Sequence, residues 1–240
     1  MHKRILQTWK KIGMMEYFWG DYFDVRFYVA SLLSKKHKKI ILDVGCGSGI
    51  LLHNASASLK LGVDFSLKFL KKARELDQNI QLICCDVKHL PLRNDFFPNV
   101  LATHIISSFS TQAERIQVSN EIQRVSSNDC EIIITGATRL SKHFDGDYSS
   151  EKRKNYLRYL DLEEYFKGFE INAFGYGDYS RKTFFLIKKL FYSLPDKFVE
   201  IFGVENIIFK KLISEKSIES GRSYILICKR GNKTSNESKP

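Results

Sequence analysis

The sequence predicts an α/β protein with a doubly wound, mostly parallel seven-stranded sheet, an N-terminal helical segment and a helical insertion before the last strand. Short continuous apolar runs alternate with amphipathic segments through the middle of the 240-residue chain. This alternation is typical of strands that are buried on both faces between crossover helices. In addition, the first run leads directly into a glycine-rich turn, and aspartates stand at the ends of three successive runs.

Residues 39–138 contain five of the predicted strands. KIILDV at residues 39–44 is the first, and a short helix after its glycines reaches about residue 56. SLKFLKKARELD has apolar residues at helical spacing, lysines on the other side, and Ser66 as its N-cap. Residues 111–127 form the next helix. The strands after the first cover residues 59–64, 81–86, 99–104 and 131–138, an order that favours right-handed parallel crossovers.

The second half is predicted to complete a single domain over residues 1–230. A sixth strand lies at residues 169–175, and two aromatic-rich basic segments at 181–217 form the helical insertion. The predicted organisation is an N-terminal helical cover (1–38), a cofactor-binding core (39–138), a lid, sixth strand and helical insertion (139–222), the last strand (223–230) and a disordered basic tail (231–240).

Charge is unevenly distributed along this chain of net charge +11. Residues 1–40 carry nine Lys or Arg against three Asp or Glu, whereas residues 41–138 carry nine against ten. Basic flanks can contact nucleic acid, anionic lipid or an acidic substrate, or they can simply be solubilising surface. The segments at 181–217 suit peripheral contact with an anionic membrane, or equally a helix pair with one buried and one solvated side.

Cysteine and histidine usage indicates a reducing compartment without a structural metal. The five cysteines include no C-x-x-C pair, and the six histidines are scattered without ligand spacing. No apolar run approaches the ~20 residues needed to cross a bilayer, and the N-terminus lacks a signal-peptide pattern. We therefore expect a cytoplasmic protein with no metal site.

The glycine-rich turn is the strongest functional signal. Gly45, Gly47 and Gly49 allow a sharp turn off the first strand and let a ligand approach the main chain without meeting Cβ atoms. The spacing does not match the G-x-G-x-x-G dinucleotide fingerprint, and no Gly-Lys-Ser/Thr of a P-loop follows. The turn therefore predicts a nucleotide-like ligand other than NAD or a nucleoside triphosphate.

DVGCGSG, GVDFS and CCDVKHLPL, in that order, resemble the motifs of the class I S-adenosylmethionine-dependent methyltransferases, and specifically the small-molecule, type 11 branch. The resemblance covers residues 38–138 well and 158–175 loosely. It implies a Rossmann-like fold and S-adenosylmethionine as the cofactor. The cofactor-binding residues that it implies are Asp43, Gly45, Cys46, Gly47, Gly49, Asp64, Phe65, Asp86, Val87 and Thr103.

Within this resemblance, each acidic residue receives a role. Asp64 would accept both ribose hydroxyls, with Phe65 on the adenine face. Asp86 would accept from the adenine amino group, while Val87 covers the other side of the ring. Asp43 would fix the glycine loop and help to hold the methionine ammonium group. A lone aspartate at a strand end is often only a helix cap, so the prediction depends on the whole combination.

The acceptor side is less well defined by the sequence. Thr103 and His104 end the fourth strand, where His104 is the candidate general base, or contacts the cofactor only through its backbone. Cys46 is expected to be a small loop residue and not a nucleophile. We predict a methyltransferase for a small-molecule acceptor such as a quinone, lipid or glycolipid precursor. An RNA methyltransferase and a non-catalytic S-adenosylmethionine-binding protein are the alternatives.

Overall fold

The computed structural model describes residues 37–137, 159–176, 213–214 and 223–230, together with residues 25, 29, 30, 32 and 33 of an N-terminal helical segment. The predicted lid, the basic tail, and most of the N-terminal cover and of the helical insertion lie outside the described residues.

The described strands form one mixed sheet in the order β3-β2-β1-β4-β5-β8-β6-β7. Strands β1 to β5 pair in parallel, whereas β8 is antiparallel to both β5 and β6. The strands are β1 (Lys38–Val44), β2 (Ala57–Asp64), β3 (Gln81–Cys84), β4 (Phe97–Thr103), β5 (Ser126–Ala137), β6 (Phe169–Tyr176), β7 (Ile213–Ser214) and β8 (Ser223–Arg230).

Helices cover both faces of the sheet. The N-terminal helical segment, α1 (Ile50–Asn54) and α2 (Leu67–Leu76) pack on one face, which we call the first face. Helices α3 (Gln112–Val125) and α4 (Tyr159–Tyr165) pack on the second face. A short 3-10 helix, Ile106–Ser108, follows β4. This arrangement confirms the predicted Rossmann-like, doubly wound fold.

The central strands are buried on both faces, as their continuous apolar runs predict. Ile41, Leu101 and Ile133 belong to the core of the first face, whereas Leu42 and Val100 belong to the core of the second. Strands β1, β4 and β5 are neighbours in the sheet. The residues two positions after Ile41, Leu101 and Ile133 therefore lie on the first face as well, nearer to the carboxyl ends of these strands.

The structure differs from the predicted elements at several boundaries. Ile213 and Ser214, predicted to lie in a helix of the insertion, instead form β7 and pair with the end of β6, which would otherwise be an unpaired edge. Helix α3 passes directly into β5 at Ser126, so this strand is longer than predicted. Strand β4 begins at Phe97 and includes Pro98, where a register shift interrupts the ladder with β5.

Candidate cofactor site

The glycine loop lies at the carboxyl edge of β1, and its three glycines play different parts. All three have left-handed backbones. A Cβ on Gly45 would lie 2.8 Å from Ile105 Cδ1, and one on Gly49 would lie 2.9 Å from Ala73 Cβ. A Cβ on Gly47 would meet no atom within 4 Å. Gly45 and Gly49 are therefore fixed by packing, whereas Gly47 borders open space that a ligand can enter.

Asp64, the last residue of β2, holds this loop in place. Its Oδ2 accepts a hydrogen bond of 2.9 Å from the Gly47 N–H, and its Oδ1 accepts one of 2.9 Å from the Ser66 N–H. The residue is 7% exposed. Each carboxylate oxygen has two lone pairs, so both oxygens can still accept a hydroxyl from a ligand. The loop is thus fixed by Asp64, and not by Asp43 as the sequence had suggested.

Asp43 is the unusual carboxyl group of the site. It is 1% exposed, and its Oδ1 has no hydrogen-bond partner among the described residues. Burial, and secondarily the negative charge of Asp64, raises the pKa of Asp43 to about 7. Buried polar atoms normally have partners, and a missing one costs about 1–3 kcal/mol. A positively charged ligand group would remove that cost, so Asp43 fits the ammonium group of an amino acid.

The adenine end of the predicted site is more open. Asp86 lies two residues beyond the end of β3 and is exposed; its Oδ1 accepts a 2.9 Å hydrogen bond from the Lys88 N–H. The Phe65 ring is 78% exposed, so a planar group could lie on it. Val87, by contrast, is buried in the core of the second face. Its side chain therefore has less surface to offer a ligand than the sequence suggested.

Cys46 is buried beneath the loop. A Cβ on Gly62 would lie 2.7 Å from Cys46 Sγ, so the thiol packs closely over the glycine of β2. Burial, together with the charges of Asp43 and Asp64, raises the pKa of the Cys46 thiol. A buried neutral thiol is a poor nucleophile, which agrees with its predicted role as a small loop residue.

Thr103 and His104 lie where predicted, at the carboxyl end of β4. Thr103 is paired with Thr135 of β5, and the His104 N–H donates a 2.8 Å hydrogen bond to the Thr135 carbonyl. His104 has a left-handed backbone, with φ of 57°. Non-glycine residues adopt this conformation at a cost, and such residues are concentrated at functional sites. The backbone of His104 is therefore constrained at the carboxyl end of β4, and the Nε2 atom of its ring is buried.

Two buried hydroxyls of this edge were missed in the sequence. Thr135 is 1% exposed and continues the first face beyond Ile133; its Oγ1 has no hydrogen-bond partner among the described residues. Ser48 Oγ in the glycine loop is likewise buried and has no hydrogen-bond partner among the described residues. The threonine within the apolar run EIIITGAT, in register with Thr103, was the available signal. Thr103 and Thr135, paired across β4 and β5, thus form a polar row two positions beyond the level of Asp43, which is paired with Leu101.

No group of three His, Cys, Asp or Glu residues in the described ranges lies close enough together to hold a metal ion. Likewise, no helix in the described part of the chain is long and apolar enough to cross a membrane.

The region that contains this site is similar in sequence to known methyltransferases. Residues 41–129 match the family model of a methyltransferase domain. The Probable tRNA methyltransferase 9B of Bos taurus is 32% identical over 94 residues, which make up 39% of this chain and 20% of that protein. The chain thus matches about one fifth of the length of its curated relatives.

Solved structures of low sequence identity share the fold over most of the chain. A methyltransferase from Thermotoga maritima, named a possible histamine N-methyltransferase, has a TM-score of 0.60 at 15% identity and covers 93% of this chain and 100% of its own. The cyclase SpnF has a TM-score of 0.57 at 18% identity, covering 87% of this chain and 81% of its own. At these identities the likeness is one of fold.

Residues 41–129 thus match a methyltransferase domain, and the chain has the fold of solved S-adenosylmethionine-dependent methyltransferases, which agrees with the predicted family and cofactor. The matched model is described only as a methyltransferase domain, so the small-molecule branch remains a prediction. The residues fit the cofactor, because Asp43 can receive a cation, Gly47 leaves room for close approach, and Asp64 can accept hydroxyls.

Proposed function

We propose that this chain transfers the methyl group of S-adenosylmethionine to a small-molecule acceptor, such as a lipid, quinone or glycolipid precursor. The observation that carries the proposal is the buried, unpartnered Asp43 carboxyl beside the loop that Asp64 holds open at Gly47. S-adenosylmethionine supplies an activated methyl group on a sulfonium. The protein's contribution is to hold the two reactants in line and to exclude water.

The cofactor-binding roles divide between two carboxyl groups. Asp43 binds the ammonium group of the methionine portion, and Asp64 accepts from the ribose hydroxyls while keeping the Gly47 N–H in place. Phe65 and Asp86 lie on the adenine side, where an exposed ring and an exposed carboxylate are available. Thr103 and the backbone of the glycine loop complete the binding residues.

The acceptor side is assigned to the polar row at the ends of β4 and β5. Thr135 Oγ1 is available to orient a hydroxyl or an amine of the acceptor, because no described residue bonds to it. His104 is the proposed base for the proton that such a group loses on methylation.

An RNA acceptor is the second candidate. It is favoured by the similarity to tRNA methyltransferase 9B and by the net charge of +11. Against it, the similarity extends over only 39% of this chain, and residues 41–138 have no cationic excess. The third candidate is a cofactor-binding protein without methyl transfer, and a protein named as a cyclase shares the fold.

Transfer of a labelled methyl group distinguishes these candidates. The purified full chain is incubated with tritiated S-adenosylmethionine and either a lipid and metabolite extract or bulk tRNA. Label recovered in the small-molecule or lipid fraction supports the proposal, and label on tRNA overturns its acceptor class. Calorimetry with unlabelled S-adenosylmethionine is run in parallel. Failure to bind the cofactor would overturn the function itself, whereas binding without transfer to either extract would favour the non-catalytic candidate.

A further inference from the structure

We infer that Glu121 and Arg124 of α3 are positioning residues for cofactor binding, because their side chains hold in place the segment that carries Asp86. We call this segment, residues 85–96 between β3 and β4, the adenine loop. The inference deepens the proposed function and rests on it, since Asp86 binds adenine only under that proposal.

The adenine loop has little regular structure of its own. One turn is closed at its start, where Asp86 Oδ1 accepts from the Lys88 N–H at 2.9 Å and the Asp86 carbonyl accepts from the His89 N–H at 3.0 Å. Leu90 is buried in the core of the second face, whereas residues 93–95 are exposed. A single turn fixes few backbone dihedral angles, so the conformation of the other loop residues must be held by another element.

Helix α3 supplies further hydrogen bonds to this loop. Glu121 Oε2 accepts a 2.7 Å hydrogen bond from the Leu90 N–H, and Arg124 Nη2 donates one of 2.9 Å to the Leu90 carbonyl. Arg124 Nη1 donates to the Leu92 carbonyl at 2.8 Å and to Asn94 Oδ1 at 2.6 Å. The two side chains thus bind the main chain of the loop on both its N–H and its carbonyl groups, as a neighbouring strand would.

The guanidinium group of Arg124 is fully used by these contacts. It also donates from Nε to Glu121 Oε1 and from Nη2 to Glu121 Oε2, each at 2.7 Å, so its five N–H groups all have acceptors. The hydrogen bond from Arg124 holds the pKa of Glu121 below its usual value against the effect of burial, so the pair is ionised at neutral pH. Lysine has the same charge but only three N–H groups and no planar fork, and it could not satisfy the same acceptors.

Further contacts from α3 reach the turn at Asp86. Four polar residues of this helix follow one another at spacings of three or four positions and therefore form one stripe: Glu114, Gln117, Glu121 and Arg124. Gln117 Nε2 donates to the Lys88 carbonyl at 3.4 Å, and Glu114 Oε1 lies 3.5 Å from Lys88 Nζ. The N–H of Lys88 in turn donates to Asp86, so the stripe holds the loop from Lys88 to Asn94 and, through Lys88, orients the Asp86 carboxylate.

These contacts serve the loop more than the packing of the helix. Helix α3 is held on the sheet by apolar side chains that are buried in the core of the second face, Val118, Ile122 and Val125. The N–H groups of Asp95 and Phe96 donate to main-chain carbonyls of α3, and these bonds do not involve the Arg124 side chain. Substitution in the stripe should therefore loosen the loop without unfolding the domain, and the affinity that depends on a preplaced Asp86 should fall.

Calorimetry on the full chain tests the inference through recognition of the adenine amino group. Two ligands are compared: S-adenosylhomocysteine, the stable product of the cofactor, and its purine analogue, in which hydrogen replaces that amino group. The unaltered chain should bind the first more tightly, by about tenfold or more. Arg124→Lys should reduce this preference to about twofold, although it keeps the charge. Adding Arg124→Lys to Asp86→Asn should change the affinity by less than about twofold, since both substitutions act through the same carboxylate.

Hydrogen exchange of the ligand-free chain gives a second measurement that does not depend on the cofactor. Arg124→Lys and Glu121→Ala should speed exchange in peptides that cover residues 86–94 by about tenfold or more, while β4 and β5 stay protected. Glu121→Gln keeps an acceptor for the Leu90 N–H and should have a smaller effect. Glu131→Gln is the matched control, because it removes the carboxylate of the 3.2 Å pair with Lys38, outside α3 and the loop. It should change neither the ligand preference nor the exchange of the loop.

Three outcomes would overturn the inference. The first is an unaltered chain that does not bind S-adenosylhomocysteine, and the proposed function would then fail with it. The second is binding without preference for the amino group, which would exclude Asp86 from adenine recognition and leave cofactor binding intact. The third is a preference, or an exchange rate of the loop, that Arg124→Lys and Glu121→Ala change no more than Glu131→Gln does. The stripe would then only stabilise the fold, and the proposed function would stand.

Discussion

Replacing Asp43 with asparagine should stabilise the ligand-free protein at pH 8 while weakening its binding of S-adenosylmethionine. The pKa of Asp43 is raised from 3.8 to about 7 by burial and by the Asp64 charge. Each pKa unit corresponds to about 1.4 kcal/mol, so the carboxylate form costs up to about 4 kcal/mol of folding stability. Asparagine resembles the protonated carboxyl in shape and carries no charge, and it therefore removes this cost.

The sign of the pH dependence follows from proton binding. Between pH 4 and pH 7, approximately, the folded protein holds the Asp43 proton while the unfolded chain releases it, so stability falls as pH rises. Above about pH 7 both states are ionised and the full cost is present. The stability gained by Asp43→Asn should accordingly be near zero at pH 4 and largest at pH 8. Urea denaturation at the two pH values measures it.

Asp77 provides a control of opposite sign. Burial acts to raise its pKa, but the hydrogen bond from the Asn79 N–H and the charge of Lys60 together leave it lowered. The carboxylate of Asp77 therefore stabilises the folded state above its unfolded pKa, and this contribution is lost as pH falls. Asp77→Asn should destabilise the protein at pH 8. If Asp43→Asn behaved like Asp77→Asn, the reasoning about a destabilised buried carboxyl would be wrong.

Ligand binding supplies a second measurement on Asp43. A cationic ammonium group beside the carboxylate favours its ionised form, so binding at pH 6 should release a proton and become tighter as pH rises toward 7. Calorimetry in two buffers of different ionisation enthalpy counts that proton. Asp43→Asn should bind more weakly and release none. Proton release that persisted in the variant would mean that another group titrates.

Three further substitutions probe the remaining roles. Asp64→Ala should weaken S-adenosylmethionine binding by about ten- to a hundredfold, on the order of 1.5–3 kcal/mol, with calorimetry on the folded variant as the measurement; unchanged affinity would exclude Asp64 from the site. Gly47→Val should abolish binding, since its side chain would enter the open space at the loop. Gly168→Val is the control for Gly47→Val, because Gly168 also has a left-handed backbone with free space around it. Gly168 precedes β6 and lies outside the proposed site, so this variant should lose only folding stability, by about 1–2 kcal/mol. His104→Asn keeps a residue that tolerates the left-handed backbone and should slow single-turnover transfer by about a hundredfold at unchanged cofactor affinity; unchanged turnover would reduce His104 to a backbone contact.

The central sheet could be predicted from the sequence because its strands are buried on both faces. Runs such as EIIITG contain too few polar positions to be anything but interior strands, and the glycines after Asp43 mark the turn off the first of them. The two-residue β7 could not be predicted in this way. Ile213 and Ser214 lie within an amphipathic pattern, and their strand pairing is set by the free edge of β6 and not by their own propensity.

The site residues were predictable as a set, but their individual roles were not. The order of motifs placed Asp43 and Asp64 at neighbouring strand ends, yet nothing local shows which carboxylate receives backbone hydrogen bonds. That depends on where the Gly47 and Ser66 N–H groups point once the loop has folded. Likewise, Val87 reads as an exposed loop residue until the second-face core is seen to enclose it.

Asp64 and Asp43 differ in their hydrogen bonds, and this difference explains how the site can be fixed before a ligand binds and still favour a cationic ligand. Asp64 accepts two backbone hydrogen bonds, so it can hold the loop in the ligand-free protein. Asp43 has no such bonds, and its charge is disfavoured until a cation arrives. The loop therefore has its binding conformation before the ligand arrives. The free-energy cost of ionising Asp43 in the folded protein is offset only when a positively charged ligand binds beside it. A neutral analogue that lacks the ammonium group should lose this gain, and its affinity should be the same for the unaltered chain and for Asp43→Asn.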